Sequence, residues 1–434
     1  MKKILIITYY WPPSGGAGVQ RILKAVKYFP EFGILPFIVT VNEDKASYPV
    51  FDKTLIKDIP VQAKVYRTET FEPFDAYSKL LGKKSIPTGF SNESTPGLFQ
   101  KLSRFIRGNF FIPDARRGWS KFAYEESVKI IEREKIDTVL VTSPPHSAQL
   151  AGLKLKKKFN ITWIADLRDP WTDIYFYDEF RHLPFAKKLD KKYERVVLEN
   201  ADKIITVGKN LKDQFSEKSV KIKKEKIFVI PNGFDENDFI TGNKMTDPSQ
   251  EEFIITYTGT LAESYNPLVF FTELKKLVEK FPGKNIKLRF VGNPALTVIK
   301  KARDLSLSKN IELIPTVSHD KSIGYLLKST ILLLVIPDTK NDKGILTGKL
   351  FEYLAARKPI ICIGPANGDA AFVINECESG KTFERNMGSE LNIYLEEMLR
   401  RWSTEKNLDI KNEHYLKYSR YSQAKEISKI ILSG

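Results

Sequence analysis

Residues 344–365, GILTGKLFEYLAARKPIICIGP, divide into a loop, a helix entered at Thr347, and a short buried strand over Pro359–Ile363 that stops at Gly364-Pro365. Leu350, Phe351, Tyr353, Leu354, Ala355 and Ala356 leave the helix almost no polar face, so burial on most sides is expected. Glu352 stands among them, and a carboxylate in such surroundings needs a partner. Lys349 precedes it by three residues, on the same face and in the first turn, where Thr347 and Gly348 offer free amides and the positive end of the dipole. That arrangement suits a phosphate. Two readings follow: a nucleoside diphosphate site, with Lys349 on the diphosphate and Glu352 on the ribose hydroxyls, or a Lys/Glu surface pair at helical spacing. A P-loop is excluded, because Gly344 and Gly348 are one residue too close and Leu350 stands where the metal-binding hydroxyl belongs.

Upstream of this stretch, strands are expected at 253–257, 286–291, 311–314 and 331–335, with a helix over about 267–280. Most of these strands run into Gly, Asn or Pro turns, including Gly259 and Gly292-Asn293-Pro294, which belong at one edge of a parallel sheet. The first half alternates likewise. KILIITY (3–9) is a buried parallel-type strand, followed by a turn holding Gly15, Gly16 and Gly18 and by a helix over 19–29. The third glycine of a GxGxxG fingerprint is missing, so a tight strand-to-helix turn explains these glycines without a dinucleotide. Further strands are read at 37–41, 138–142, 161–165, 201–207 and 226–230, and helices at 121–134, 148–158 and 187–199. Residues 44–120 are poorly periodic and read as short helices inserted on the rim. The turn at 231–235 and the polar stretch after it divide an amino-terminal domain, 1–240, from a second, 241–414.

His146, one of four histidines, follows the strand at 138–142 inside Ser143-Pro144-Pro145-His146-Ser147, at a strand end where doubly wound sheets place ligands. Alone, it reads equally as a capping or structural histidine. The next strand runs into Asp166-Leu167-Arg168-Asp169-Pro170-Trp171-Thr172-Asp173. Asp166 and Asp169 read as acid/base groups, acceptor-binding groups or half of an internal ion pair with Arg168, and the ion pair is expected for one of them; Asp169, held extended before a proline, is the one expected to face the cleft as a catalytic group.

The 434 residues carry a formal charge of +16, which implies an anionic partner. Nine basic residues lie between Lys79 and Lys121 against Glu93 and Asp114, interleaved with Phe99, Phe105, Phe110, Phe111 and Trp119. This pattern fits an anionic membrane surface or a solvated basic loop, and fits nucleic acid less well, since no recognition motif accompanies it. Cys362 and Cys377 are too few for a disulfide framework or a zinc cluster and suit a reducing cytoplasm. The apolar start is too short for a signal peptide, and no stretch is long enough for a membrane span.

The wording TGKLFEYLAA followed by KPII, together with SPPHS, ADLRDPWTD and IPNGFD, resembles the family 4-like glycosyltransferases with the GT-B fold. The resemblance covers nearly the whole chain. It implies two Rossmann-like doubly wound α/β domains facing each other across a cleft, with a last helix over 415–434 crossing back to the first. It implies Glu352 on the donor ribose, Thr347, Gly348 and Lys349 on the diphosphate, and Gly16 and Gly18 approaching the donor from the acceptor-side domain. Gly259 and Asn293 line the donor side, and His146 alone takes the family's contact with the transferred sugar. The implied activity is sugar transfer from a nucleoside diphosphate sugar to a carbohydrate or lipid-linked hydroxyl, retaining, with neither metal nor cofactor, in cell-envelope polysaccharide or glycolipid synthesis. Two features depart from the pattern. Gly344 stands where a second glutamate contacts the donor sugar, and residues 258–267 lack the usual arginine and lysine, a gap Lys349 and backbone amides would fill. The alternatives are a sugar-nucleotide epimerase on the same fold and a non-catalytic protein of anionic surfaces.

Overall fold

The computed structural model describes residues 1–72, 98–242 and 251–433. The chain forms two compact units, Met1–Pro231 with Arg420–Gly434, and Asn232–Ser419.

In the first unit, strands β1 (Lys2–Ile7), β2 (Ile34–Val41), β3 (Lys64–Thr68), β4 (Thr138–Ser143), β5 (Thr162–Leu167), β6 (Lys203–Thr206) and β7 (Ile227–Val229) form one sheet in the order β3-β2-β1-β4-β5-β6-β7. Every neighbouring pair is parallel. Helices α1 (Ala17–Tyr28), α2 (Leu98–Phe110), α3 (Trp119–Glu134), α4 (Ala148–Lys158), α5 (Pro184–Asn200) and α6 (Lys209–Glu217) fill the connections. β1 is apolar at consecutive positions because both its faces are covered: Ile4 and Ile6 enter one core, Leu5 and Ile7 the other. One element departs from expectation: residues 44–120 hold an edge strand, β3, whose KVYRT is largely solvent-facing and so lacks the apolar signature. Helix α2 and the short 3-10 turns Glu43–Lys45 and Lys53–Asp58 are of the kind expected in that stretch.

The second unit has β8 (Glu252–Leu261), β9 (Asn285–Pro294), β10 (Ile311–Ile314), β11 (Ile331–Val335), β12 (Ile360–Ile363) and β13 (Gly380–Phe383), all parallel, in the order β10-β9-β8-β11-β12-β13. Its helices are α7 (Glu236–Gly242), α8 (Leu268–Lys280), α9 (Leu296–Asp304), α10 (His319–Leu327), α11 (Gly348–Ala355), α12 (Asp369–Glu376) and α13 (Gly388–Glu405). Phe253, Ile255 and Tyr257 pack with Phe270 and Phe271 on one sheet face, while Leu350, Phe351, Tyr353 and Leu354 of α11 pack with Cys362 on the other. Each such side chain, fully buried, contributes about 1.5–3 kcal/mol. This burial accounts for the apolar wording of α11.

The units divide after Pro231, ahead of residue 240, because Phe234 is already committed to the second core and its amide donates to the Tyr418 carbonyl at 3.2 Å. The last helix, α14 (Arg420–Leu432), belongs to the first unit and begins at Arg420, not Tyr415; His414–Tyr418 form a short 3-10 turn in the second unit. In both sheets the strand order reverses once, between β1 and β4 and between β8 and β11. Loops leaving the carboxyl ends of those strands diverge there, which opens a place for a ligand.

Candidate functional site

At the second reversal point, α11 starts with Thr347 as an extended N-cap and no side-chain cap. Thr347 Oγ1 is buried with no hydrogen-bond partner among the described residues, and Gly348 is exposed. Lys349 Nζ donates to Tyr257 OH at 2.6 Å and to the Thr260 carbonyl at 3.1 Å, and lies 4.3 Å above the Tyr257 ring. The ammonium group therefore sits at the carboxyl end of β8, beside residues 258–267, which supply no cation of their own. Gly259 makes room for it: its φ is +87°, and a Cβ there would stand 2.8 Å from Lys349 Cε. Asn293, in register with Thr260, is exposed. Burial lowers the Lys349 pKa to about 8, with Glu352 acting in the opposite direction. At neutral pH the group is a cation, short of anionic neighbours.

Glu352 is not buried as its apolar flanks suggest. Phe351 and Tyr353 turn into the core, whereas the Glu352 side chain emerges between them, 31% exposed. Its Oε1 lies 3.2 Å from His319 Nε2, and His319 Nδ1 is 4.0 Å from Asp238 Oδ2. The hydrogen bond to Glu352 raises the His319 pKa, burial opposes it, and the charges of Glu352, Asp238 and Asp320 add to the rise. His319 comes from a separate helix, α10, and nothing in Ser318-His319-Asp320 points to Glu352.

In the first unit, Gly16 caps α1 at φ +94° and is exposed. Arg168 donates to the carbonyls of Gly18 at 2.6 Å, Ser143 at 2.9 Å and Pro144 at 3.3 Å. It thereby ties the glycine turn after β1 to the SPPHS loop after β4. Arg168 has been released for this work by Arg21, which takes Asp166 at 3.1 Å; Thr142 Oγ1 also donates to Asp166, at 2.7 Å. The ion pair expected of Arg168 is therefore made by Arg21. Asp169 is half-buried, and burial pushes its pKa up against the pull of Arg168.

The His146 ring stacks on Trp171 at 4.5 Å with the planes 12° apart, and its Nδ1 is buried without a partner among the described residues. Burial, aided by the Arg168 charge, pushes its pKa down to about 3, so the imidazole is neutral. Trp171 is in turn fixed by Asp190, which accepts from Trp171 Nε1 at 2.7 Å and Tyr177 OH at 2.9 Å. Asp114 accepts from the Ser147 amide at 2.7 Å and hydroxyl at 2.8 Å, holding the His146 loop. Asp114 and Asp190 come from remote segments, and no spacing in the sequence connects them to His146.

Of the basic stretch 79–121, residues 79–97 lie outside the described residues. Further on, Arg104 pairs with Glu179 at 2.7 Å, Arg116 donates to the Ser47 carbonyl, and Arg117 to the Ile112 carbonyl. Trp119 is buried. Among the described residues no helix is long and apolar enough to cross a membrane, and no group of three or more His, Cys, Asp or Glu could hold a metal ion.

Two family models match the chain: Glycosyltransferase Family 4 over residues 89–238 and Glycosyl transferases group 1 over 243–415. No curated protein matches its sequence. Among solved structures it is similar to a glycosyltransferase from Rickettsia africae, 18% identical, covering 100% of this chain and 99% of that one, with a TM-score of 0.57. Anabaena HepE, solved in complex with UDP-glucose, is 13% identical, with 100% of both chains covered and a TM-score of 0.59. WaaG, a glycosyltransferase of lipopolysaccharide biosynthesis, is 14% identical, with 99% of this chain and 100% of that one covered and a TM-score of 0.55. At such identities the likeness speaks for the two-domain fold.

Proposed function

The chain belongs to the GT-B glycosyltransferases of family 4 and group 1, and from that premise we propose that it moves a hexosyl group from a nucleoside diphosphate sugar to an acceptor hydroxyl, retaining anomeric configuration without a metal. The observation that carries the donor assignment is Lys349, a half-buried ammonium group held at the carboxyl end of β8 one helical turn before a solvent-open Glu352.

The diphosphate binds against Lys349, the uncapped first turn of α11 and the Thr347 hydroxyl, whose orphaned oxygen gains a partner. Lys349 exchanges a neutral phenol and a carbonyl for a full counter-charge, so its attraction strengthens as the leaving diphosphate gains charge in the transition state. Glu352 releases His319 and accepts from the ribose hydroxyls. His146, neutral and braced by Trp171, offers its free Nδ1 to the transferred sugar, and Asp169 lies on the same rim. The acceptor is a carbohydrate or a lipid-linked sugar of cell-envelope polysaccharide or glycolipid synthesis, met on the cytoplasmic side.

Calorimetry with UDP and GDP tests the donor site. Lys349→Met should weaken binding roughly ten- to hundred-fold, the value of a charge-assisted hydrogen bond. Equal affinities for wild type and Glu352→Ala would remove the ribose role. A thermal-shift screen across UDP-, GDP- and dTDP-sugars identifies the donor. Conversion of that donor by the protein without acceptor would mark an epimerase instead.

A further inference from the structure

Helix α5 has two faces of opposite character. Its acids point inward: Asp190 holds Trp171 and Tyr177, and Glu194 accepts from Thr172 Oγ1 at 2.6 Å and pairs with Lys218 at 3.1 Å. Its cations point outward. Lys187, Lys188, Lys191, Lys192 and Arg195 are all exposed and line one shallow depression with Pro184. At about 100° per residue they fall within an arc of roughly 140°, over a length of about 12 Å. Among the described residues, Lys188, Lys191, Lys192 and Arg195 have neither an ion-pair nor a hydrogen-bond partner, and Lys187 has only Asp178 at 3.9 Å.

Such a cluster repels itself, and holding it together gains nothing for the fold. Beside it, where α5 begins, Phe185 is 57% exposed, Leu183 is exposed as well, and Tyr175 of the preceding loop is half exposed. Apolar side chains left in water next to unpaired lysines call for a partner that is anionic at its surface and apolar just beneath.

We infer that the outer face of α5 docks the protein on an anionic lipid bilayer, with the lysines at the headgroup phosphates and Phe185 and Leu183 at the acyl boundary. Nucleic acid fits less well. Leu183 and Phe185 would stay in water beside a sugar-phosphate backbone, and Tyr175 is the one exposed ring of the preceding loop on which a base could stack. A free phosphate would leave them there too. Because the inner face of the same helix steadies Trp171 against His146, the membrane-bound surface and the His146 loop share one rigid element, so a lipid-anchored acceptor would meet the unit that carries His146. The docking itself does not depend on the donor chemistry.

The test is co-sedimentation of the full chain with phosphatidylcholine vesicles containing phosphatidylglycerol, with pure phosphatidylcholine vesicles and poly(U) in parallel. Each basic side chain contributes about five-fold to partitioning, so Lys187→Gln, Lys188→Gln, Lys191→Gln and Lys192→Gln together should weaken binding by several hundred-fold. Phe185→Ser alone, which alters no charge, should weaken it by roughly ten-fold. A charge-matched control in the second unit, Lys300→Gln, Lys301→Gln, Lys309→Gln and Lys321→Gln, should stay near wild type. Equal loss in that control, equal binding to uncharged vesicles, an unaffected Phe185→Ser variant, or tighter binding to poly(U) than to the anionic vesicles would each overturn the inference. None of these outcomes bears on nucleotide binding, which calorimetry reads separately.

Discussion

His319→Ala should abolish a pH dependence in nucleotide affinity that wild type displays between about pH 6 and pH 8. In the unliganded protein Glu352 is engaged by His319 at 3.2 Å, and the ribose hydroxyls must displace that contact. The histidine pKa is raised, first by this hydrogen bond, so the ion pair is fully present at low pH and is lost as pH rises through the raised value. With side chains 40% and 31% exposed, the pair is screened and contributes about 0.2–1 kcal/mol. Wild-type affinity for UDP or GDP should therefore rise by up to roughly five-fold over that interval as the competitor loses its proton. Asp238 and Asp320, which also face His319, hold the transition above the ordinary histidine range. Titration of the nucleotide's own phosphate is common to both proteins and cancels in the ratio of their affinities, measured by calorimetry. A ratio that stays constant from about pH 6 to pH 8 would refute the competition. Above about pH 8 both proteins should lose affinity together as Lys349 deprotonates.

Gly259→Ala places a Cβ 2.8 Å from Lys349 Cε at a φ of +87°; it should destabilise the fold by about 1–2 kcal/mol and also weaken UDP or GDP binding by displacing the ammonium group, both read by thermal shift with and without nucleotide. Asp166→Ala leaves the Arg21 guanidinium, 2% exposed, without its carboxylate and should destabilise by about 3–5 kcal/mol in urea unfolding, against little change for Asp169→Ala. Asp190, its pKa raised by burial to about 7, binds a proton in the native state that the unfolded chain has already released. Stability should therefore fall, by an amount on the order of 2–4 kcal/mol, as pH rises from about 4 to about 7, and Asp190→Asn should flatten that slope in urea midpoints.

Much of the fold is legible along the chain because parallel strands covered on both faces must be apolar at consecutive positions, as KILII, ILLLV and IICI are. KVYRT escaped that logic because it is an edge strand facing water. The spacing of Thr347, Lys349 and Glu352 was equally readable, since helical periodicity puts a lysine and a glutamate three residues apart on one side whatever surrounds them.

Local pattern cannot say which partner a side chain finds from a distant segment. Asp166 and Asp169 look alike beside Arg168, and Arg21, brought in from α1, decides between them. The flanks of Glu352 suggest burial, yet its rotation about α11 brings it to solvent and to His319. Lys349 fills the cation gap at residues 258–267 only because parallel pairing sets the end of β8 against the start of α11, with a glycine where they touch. Hydrophobic periodicity, a property of neighbours in sequence, was settled by the chain alone; the protonation and pairing of charged groups depend on distance and burial, which exist only once the sheets have formed.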